Sequence, residues 1–232
     1  MAKILNIESS TQVCSVALAV DGQVVAVEES HTKNAHSRNI TVFSEKVIKE
    51  AGISFHELDA IAVSMGPGSY TGLRIGVSTA KGFCYALDKP LIAIGTLKTM
   101  AAGMVANTES AKNYLFCPMI DARRMEVYAA VFNDELDELK ATEAVIVDEH
   151  SFSDLLSSGK ILFAGDGASK CREILSHQKN AVFKNGFSSS AIFMAKLSEQ
   201  KFLSQEFEDV AYFEPFYLKD FVAGIPRVKG LR

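Results

Sequence analysis

The sequence predicts an α/β protein built from two related lobes, each around a mixed β-sheet. Three observations predict it. Strand-like and helix-like runs alternate along the chain; each half opens on neighbouring strands joined by short turns; and both halves begin with the same order of strand, acid, turn and strand. In the first half that order is Ile4–Ile7, Glu8, a turn and Val13–Val20; in the second it is Tyr114–Ile120, Asp121, a turn and Met125–Phe132. A chain of 232 residues, 48% apolar and 22% charged, has the material for two such cores.

Each element has a local reason. Lys3–Ile7 and Val13–Val20 are short apolar strands, and Asp21-Gly22 after them is the favoured two-residue hairpin turn, so Gln23–Glu28 completes a meander. Ile40, Phe43, Val47, Ile48 and Ala51 have helical spacing, and Gly52 supplies the stop. Leu58–Val63 reads as a buried strand. The stretch SMGPGSYTGLRIG (64–76) follows and leads into a helix over Thr71–Leu87. Pro90–Ile94 is a strand and Thr96–Val105 a helix. The polar run Asn107–Asn113 then marks a boundary, giving lobes of residues 1–106 and 107–220 and a basic tail of 221–232. The second lobe continues with Ile161–Ala164, the turn Gly165-Asp166-Gly167, a helix around Lys170–His177, and a helix over Ser188–Leu197 capped by Ser188 or Ser189. The tail carries Arg227, Lys229 and Arg232 and is expected to fray.

Composition excludes several functions. The net charge is −4 and the pI near 5.8, which argues against a protein that binds RNA on its own. Cys14, Cys84, Cys117 and Cys171 sit in apolar runs without CxxC spacing, the pattern of reduced core thiols in a cytosolic protein. His31, His36, His56, His150 and His177 form no H-x3-H or H-E-x2-H pair, so no metal site is expected. The opening MAKILNIESS is too short and polar for a signal peptide, and no apolar run nears the roughly 18 residues of a membrane span.

The glycine-rich stretch invites a phosphate-binding reading, because helix N-terminal N–H groups attract anions. It lacks the Walker lysine, and from Gly66 the third glycine of a dinucleotide fingerprint is missing. The helix behind it places Gly72, Gly76 and Ala80 four residues apart, with Thr79 beside them. Two glycines inside a helix cost about 1 kcal/mol each. Close packing on the lobe's own sheet or against a helix of another subunit would each offset that cost, and the sequence leaves both open. Gly165-Asp166-Gly167 is either an ordinary turn or a place where a nucleotide approaches the backbone. Glu8 and Asp121, each ending the first strand of a half, occupy the positions of the cleft acids in actin-like phosphotransferases. There a glycine follows the first acid, whereas this chain has Glu8-Ser9-Ser10-Thr11. No G-x-S-x-G nucleophile elbow is present.

Together these residues resemble the TsaB (YeaZ) family, a subunit of the bacterial machinery that makes threonylcarbamoyladenosine in tRNA. The segments that carry the resemblance are ILNIESSTQVCSVAL, HSRNITVF and LDAIAVSMGPGSYTGLRIGVSTAKGFCYALDKPLIAIGTL, with MIDARRMEVYAAVF, GDG and FYLKD as weaker signatures in the second half. The resemblance implies an actin-like (ASKHA) fold of two RNase H-like lobes. It also implies kinship with the catalytic subunit, TsaD, whose first long helix carries H-x3-H; here that stretch reads His36-Ser37-Arg38-Asn39-Ile40, so the second ligand position is Ile40. The family's usual acid in the first strand is aspartate, where this chain has Glu8.

The function implied is a non-catalytic subunit supporting a TsaD-like transferase, with no catalytic residue and no metal. Its first-lobe helices would form a homodimer or meet the like face of the transferase, through His36, Ile40, Phe43, Gly72, Gly76, Thr79, Ala80 and Phe83. A TsaE-like ATPase joins the complex, tRNA is met only through the complex, and no membrane is involved. No cofactor is expected, ATP being held only at a shared interface; Glu8, Ser9, Asp121, Gly165 and Gly167 are the candidate nucleotide contacts. The alternative is an autonomous ATP-dependent enzyme of the actin-like superfamily, a kinase or a glycopeptidase-type hydrolase. The absent H-x3-H, the absent Walker lysine and Glu8-Ser9 argue against it.

Overall fold

A computed structural model describes residues 1–32 and 36–219, with the backbone alone for 36–38. The first sheet begins as the expected meander, β1 (Lys3–Glu8), β2 (Cys14–Val20) and β3 (Gln23–Ser30). Asp21 at φ 48° and Gly22 at φ 69° supply the two left-handed residues of the tight hairpin. α1 (His36–Glu50), β4 (Ala60–Gly66), α2 (Tyr70–Leu87) and β5 (Leu91–Gly95) follow, and the strand order is β3-β2-β1-β4-β5. β1, β4 and β5 run parallel, and β2 runs antiparallel to both of its neighbours, β1 and β3.

α3 (Thr96–Ala106) leads to the second sheet, made of β6 (Tyr114–Asp121), β7 (Glu126–Phe132), β8 (Glu138–Ile146), β9 (Lys160–Ala164) and β10 (Ala181–Phe183). α4 (Ser153–Ser158) precedes β9 and α5 (Ala168–Leu175) follows it. The order β10-β9-β6-β7-β8 repeats the first sheet, with β6 in the place of β1, flanked by an antiparallel β7 and a parallel β9. The duplication read from the two openings therefore extends through both sheets. The sequence reading passed over β8, α4 and β10. β8 is an edge strand with Glu138, Lys140, Glu143 and no fully buried residue, and β10 has only three residues, so neither carries a strong apolar alternation.

Strand alternation sorts the first lobe into two layers. Leu5, Ile7, Val16, Leu18, Ile61 and Val63 pack with Ile40, Phe43 and Val47 of α1 and with Val77, Ala80 and Cys84 of α2. Ile4, Ala17, Ala60, Ala62, Ile92 and Ile94 face the other way, onto Ala191, Met194 and Leu197. These last residues belong to a 3-10 turn, Ala191–Met194, and to α6 (Ala195–Leu203). The helix expected over Ser188–Leu197 thus starts later, and its cap is Ser190, whose hydroxyl accepts from Ile192 N at 3.1 Å.

Packing crosses the expected division at 106/107 in both directions. Leu97, Met100 and Ala101 of α3 pack with Ile120, Ala130 and Phe132 of the second sheet. In return, the chain after Ser190 crosses to the first lobe. Glu208 bridges Leu91, Phe216 N donates to Met65 O at 2.7 Å, and Lys81 Nζ donates to Ala211 O and Phe213 O at 3.1 and 3.0 Å. The lobes exchange elements because each sheet needs an apolar cover on both faces. The basic tail, 221–232, lies outside the described residues. All four cysteines are buried free thiols; burial pushes Cys14 up to about 11 and Cys84 up to about 12.

Candidate functional site

The glycine-rich loop is occupied by the chain itself. Ser69 caps α2, its hydroxyl accepting from Gly72 N at 3.3 Å, and Ser69 N donates to Ser10 O at 2.6 Å. The turn after β1 therefore sits on the helix N-terminus where a phosphate would have to go. The glycines make room for it. A Cβ on Gly68 would lie 2.3 Å from Ser10 O, one on Gly72 would lie 2.1 Å from Ser9 O, and one on Gly76 would lie 2.1 Å from Ser9 Oγ. Ser9 Oγ in turn donates to Gly72 O at 2.9 Å.

This corrects the partner reading of the ridge. Gly72, Gly76 and Ala80 are buried inside the lobe, and they face Ser9 and the sheet rather than a neighbour. Ile40 and Phe43 are core residues, 1% and 8% exposed, so they too are inside the lobe. His36 has its side chain outside the described residues. Thr79 and Phe83 are half-buried; Thr79 Oγ1 donates to Ile75 O at 2.8 Å, and Phe83 stacks on Phe55 with ring centroids 5.5 Å apart. The open face of α2 is a different stripe: Thr71, Arg74, Ser78, Gly82 and Tyr85. A Cβ on Gly82 would meet nothing within 4 Å, and Tyr85 is 87% exposed. The spacing of that stripe, three or four residues, was legible in the sequence; the glycine repeat on the other side drew attention away from it.

The second candidate region is the cleft between the sheets. Two adjoining hollows of about 340 and 230 Å³ share His31, Asp166, Phe187 and Ser188. Thr11, Gln12 and Val13 from the β1–β2 turn line one of them, and Gly165, Arg172 and Phe183 line the other. Sequence analysis places Ser188 at the start of a helix and gives Phe187 no role; no motif marks either as a residue of the cleft.

The candidate nucleotide contacts divide. Glu8 and Ser9 are fully buried and are not among the residues lining either hollow. Glu8 Oε1 accepts from Ser10 N at 2.7 Å and from Ser10 Oγ at 2.5 Å. Gly165 lines a hollow, but it has φ +108° and its Cβ would lie 2.2 Å from Met119 O; a Cβ on Gly167 would lie 2.8 Å from Ile120 C. Both glycines are thus required by close approach to β6. Asp121 ends β6, as its sequence position implied, and is held by Lys170 Nζ and by Arg123 N at 2.9 Å. Burial pushes its carboxyl up, but the bonds from Lys170 and Arg123 outweigh that and hold it below the usual range. Asp166 accepts from Asp121 N at 3.0 Å. The protein crowded around it raises its carboxyl above the usual range, with the charge of Asp121 adding to the effect.

Among the described residues no three His, Cys, Asp or Glu side chains gather as a metal site would need, and no helix is long and apolar enough to cross a membrane.

The sequence model of the family described as TsaD, tRNA N6-adenosine threonylcarbamoyltransferase, matches residues 27–227. The chain is 32% identical over 228 residues to the tRNA threonylcarbamoyladenosine biosynthesis protein TsaB of Escherichia coli, covering 95% of this chain and 96% of that one. To the protein of the same name in Bacillus subtilis it is 30% identical over 227 residues, covering 93% of each. Among solved structures, YeaZ from Pseudomonas aeruginosa superposes with a TM-score of 0.83 at 23% identity, over 94% of this chain and all of that one, which shows the shared fold.

Proposed function

The chain belongs to the TsaB (YeaZ) family, a family of threonylcarbamoyladenosine biosynthesis, and from that premise we propose that it is a non-catalytic subunit supporting a TsaD-like transferase. One observation carries the proposal. The turn Ser9–Ser10 is folded onto the N-terminus of α2, so the first-strand acid, Glu8, is sealed at 0% exposure and the approach to a phosphate is filled by Ser9 O and Ser10 O. Ile40, at the second ligand position of the transferase-like helix, is 1% exposed in the core. A histidine there would bury its ring in the apolar core that Ile40 shares with the sheet and α2 rather than hold a metal.

The partners of this reading are a TsaD-like transferase, a TsaE-like ATPase and a second copy of the chain, in the cytoplasm. ATP is held only where this subunit meets the transferase. The surface that meets the transferase or the second copy is the open stripe of α2; Val42, 47% exposed, is an exposed apolar residue of the neighbouring helix α1.

The purified chain alone is expected neither to hydrolyse ATP at an enzymatic rate nor to transfer a carbamoyl group. A steady-state assay that found a turnover of about 1 per second in a highly purified sample, lost on Glu8→Ala, would overturn the non-catalytic reading. The chain alone is also expected to bind tRNA weakly, because phosphate affinity comes mostly from Lys and Arg and the net charge is −4. Filter binding at physiological salt checks it; a sub-micromolar dissociation constant would contradict the expectation, and its loss on deleting residues 221–232 would locate the cause in the tail.

A further inference from the structure

One face of the first sheet carries buried oxygens left without hydrogen-bond partners. Among the described residues five side-chain oxygens are left so; Glu199 Oε2 stands apart on α6, beside the hairpin glycine Gly22, and the other four are Asn6 Oδ1, Glu8 Oε2, Thr99 Oγ1 and Ser189 Oγ, whose residues are 1% exposed or less. Such orphans are uncommon in folded proteins and point to an occupant.

The four come from three segments that meet on one side of the sheet. Asn6 and Glu8 alternate with Leu5 and Ile7, which face α1 and α2, so they point to the opposite face, as Ile4 does. Glu8 is in register with Ser15 on β2. Ser15 Oγ accepts from Ala191 N at 3.0 Å, which brings the segment with Ser189 over that strand. On the other flank, Ile7 is in register with Val63, so the next residue, Ser64, stands beside Glu8. Ser64 Oγ and Thr96 Oγ1 share a 2.8 Å hydrogen bond, which brings α3 over β4, with Thr99 one turn further on.

Charge decides what fits. No ion pair among the described residues reaches Glu8, and its one engaged oxygen is held by two donors of Ser10. A buried carboxylate without a counter-charge is far costlier than a buried neutral group. The other orphan oxygens are an amide and two hydroxyls, all neutral. Oxygen ligands of this kind suit hard cations, and divalent ones are usually held with further carboxylates, waters or substrate phosphates. One carboxyl group among neutral oxygens leaves no net charge only when the bound ion carries a single positive charge.

We propose that this group of oxygens binds one alkali-metal ion, Na⁺ or K⁺, through Glu8 Oε2, Asn6 Oδ1, Thr99 Oγ1 and Ser189 Oγ. The ion ties β1 to α3 and to the crossing segment. Since α3 packs on the second sheet and Ser189 lines the cleft, it also fixes how the lobes meet.

The test is thermal unfolding of the full chain in NaCl, KCl and choline chloride at equal ionic strength and pH. At a salt concentration about five times the dissociation constant, binding to the folded state raises the melting temperature by about 2–4 °C for a chain of this size. The expected result is a saturable rise with Na⁺ or K⁺ over choline that disappears in Glu8→Gln. If Glu8→Gln does not fold, the double variant Thr99→Val with Ser189→Ala is expected to move the half-saturating concentration upward at least threefold. Crystals soaked in Rb⁺ or Tl⁺ are expected to show an anomalous peak at Glu8 Oε2. Equal melting temperatures in all three salts, with no peak, would show that ordered water alone satisfies these oxygens and overturn the proposal. A rise given by Mg²⁺ but by neither alkali ion would overturn it as well.

Discussion

Gly76→Leu is expected to lower the melting temperature by about 6–12 °C, and Gly82→Ala on the same helix to raise it by about 2–4 °C. The two glycines have the same helical cost of about 1 kcal/mol and opposite surroundings. At Gly76 the first added carbon already lies 2.1 Å from Ser9 Oγ and 3.7 Å from Val63 Cγ2. The rest of a leucine has to displace the Ser9 turn or the sheet. Overpacking of a tight site costs about 1–3 kcal/mol, occasionally more. Here the Ser9–Gly72 hydrogen bond goes too, leaving a buried hydroxyl and carbonyl unpaired at about 1–3 kcal/mol. The gain in helix propensity offsets under 1 kcal/mol of this, so a net loss of about 3 kcal/mol remains. At about 2–4 °C per kcal/mol, that gives the stated drop. At Gly82 nothing lies within 4 Å, and alanine keeps only the propensity gain. Paired calorimetric melts decide the matter. If Gly76→Leu melts at or above the wild type, the ridge does not bear on Ser9.

Gly82→Arg is expected to weaken binding to a TsaD-like transferase thirtyfold or more while leaving the melt unchanged within about 2 °C. Gly82 lies between Ser78 and Tyr85 on the open stripe, with free space above it. Helices that meet pack at about 8–10 Å, and a long charged side chain at the contact forces them apart. Loss of a central contact costs about 2 kcal/mol or more, which is thirtyfold in affinity. Titration calorimetry of the variant against the transferase reads the effect. A dissociation constant within threefold of the wild type would place the partner elsewhere on the molecule. The variant also separates interface from fold, which Gly76→Leu does not, since that residue is buried.

The sequence by itself determined the elements whose reason is local. Asp21-Gly22 adopts the two left-handed conformations of its hairpin; Gly52, at φ 68°, follows α1 where a stop was expected; and the strand-acid-turn order of Glu8 and Asp121 marks two sheets of one topology. The resemblance to its family was equally legible, because long specific segments carry it and sequence identity to relatives spans almost the whole chain.

Tertiary structure alone decided which way each element faces. Gly72, Gly76 and Gly82 are the same residue on one helix, and only the placement of Ser9 tells a buried contact from an open one. That placement depends on a residue 63 positions away from the carbonyl it bonds. The exchange of covers between lobes was illegible for the same reason: Ser190 meets Glu29 across 161 positions, and no local pattern encodes a contact of that separation. The edges β8 and β10 escaped notice because strands on a sheet edge need little apolar alternation to be held. Burial of Glu8 was likewise a matter of assembly. The acid ends its strand as its position implied, but the chain's own turn folds back on it through Ser10, and a helix N-terminus open to phosphate in isolation is capped in the folded protein by Ser10 O.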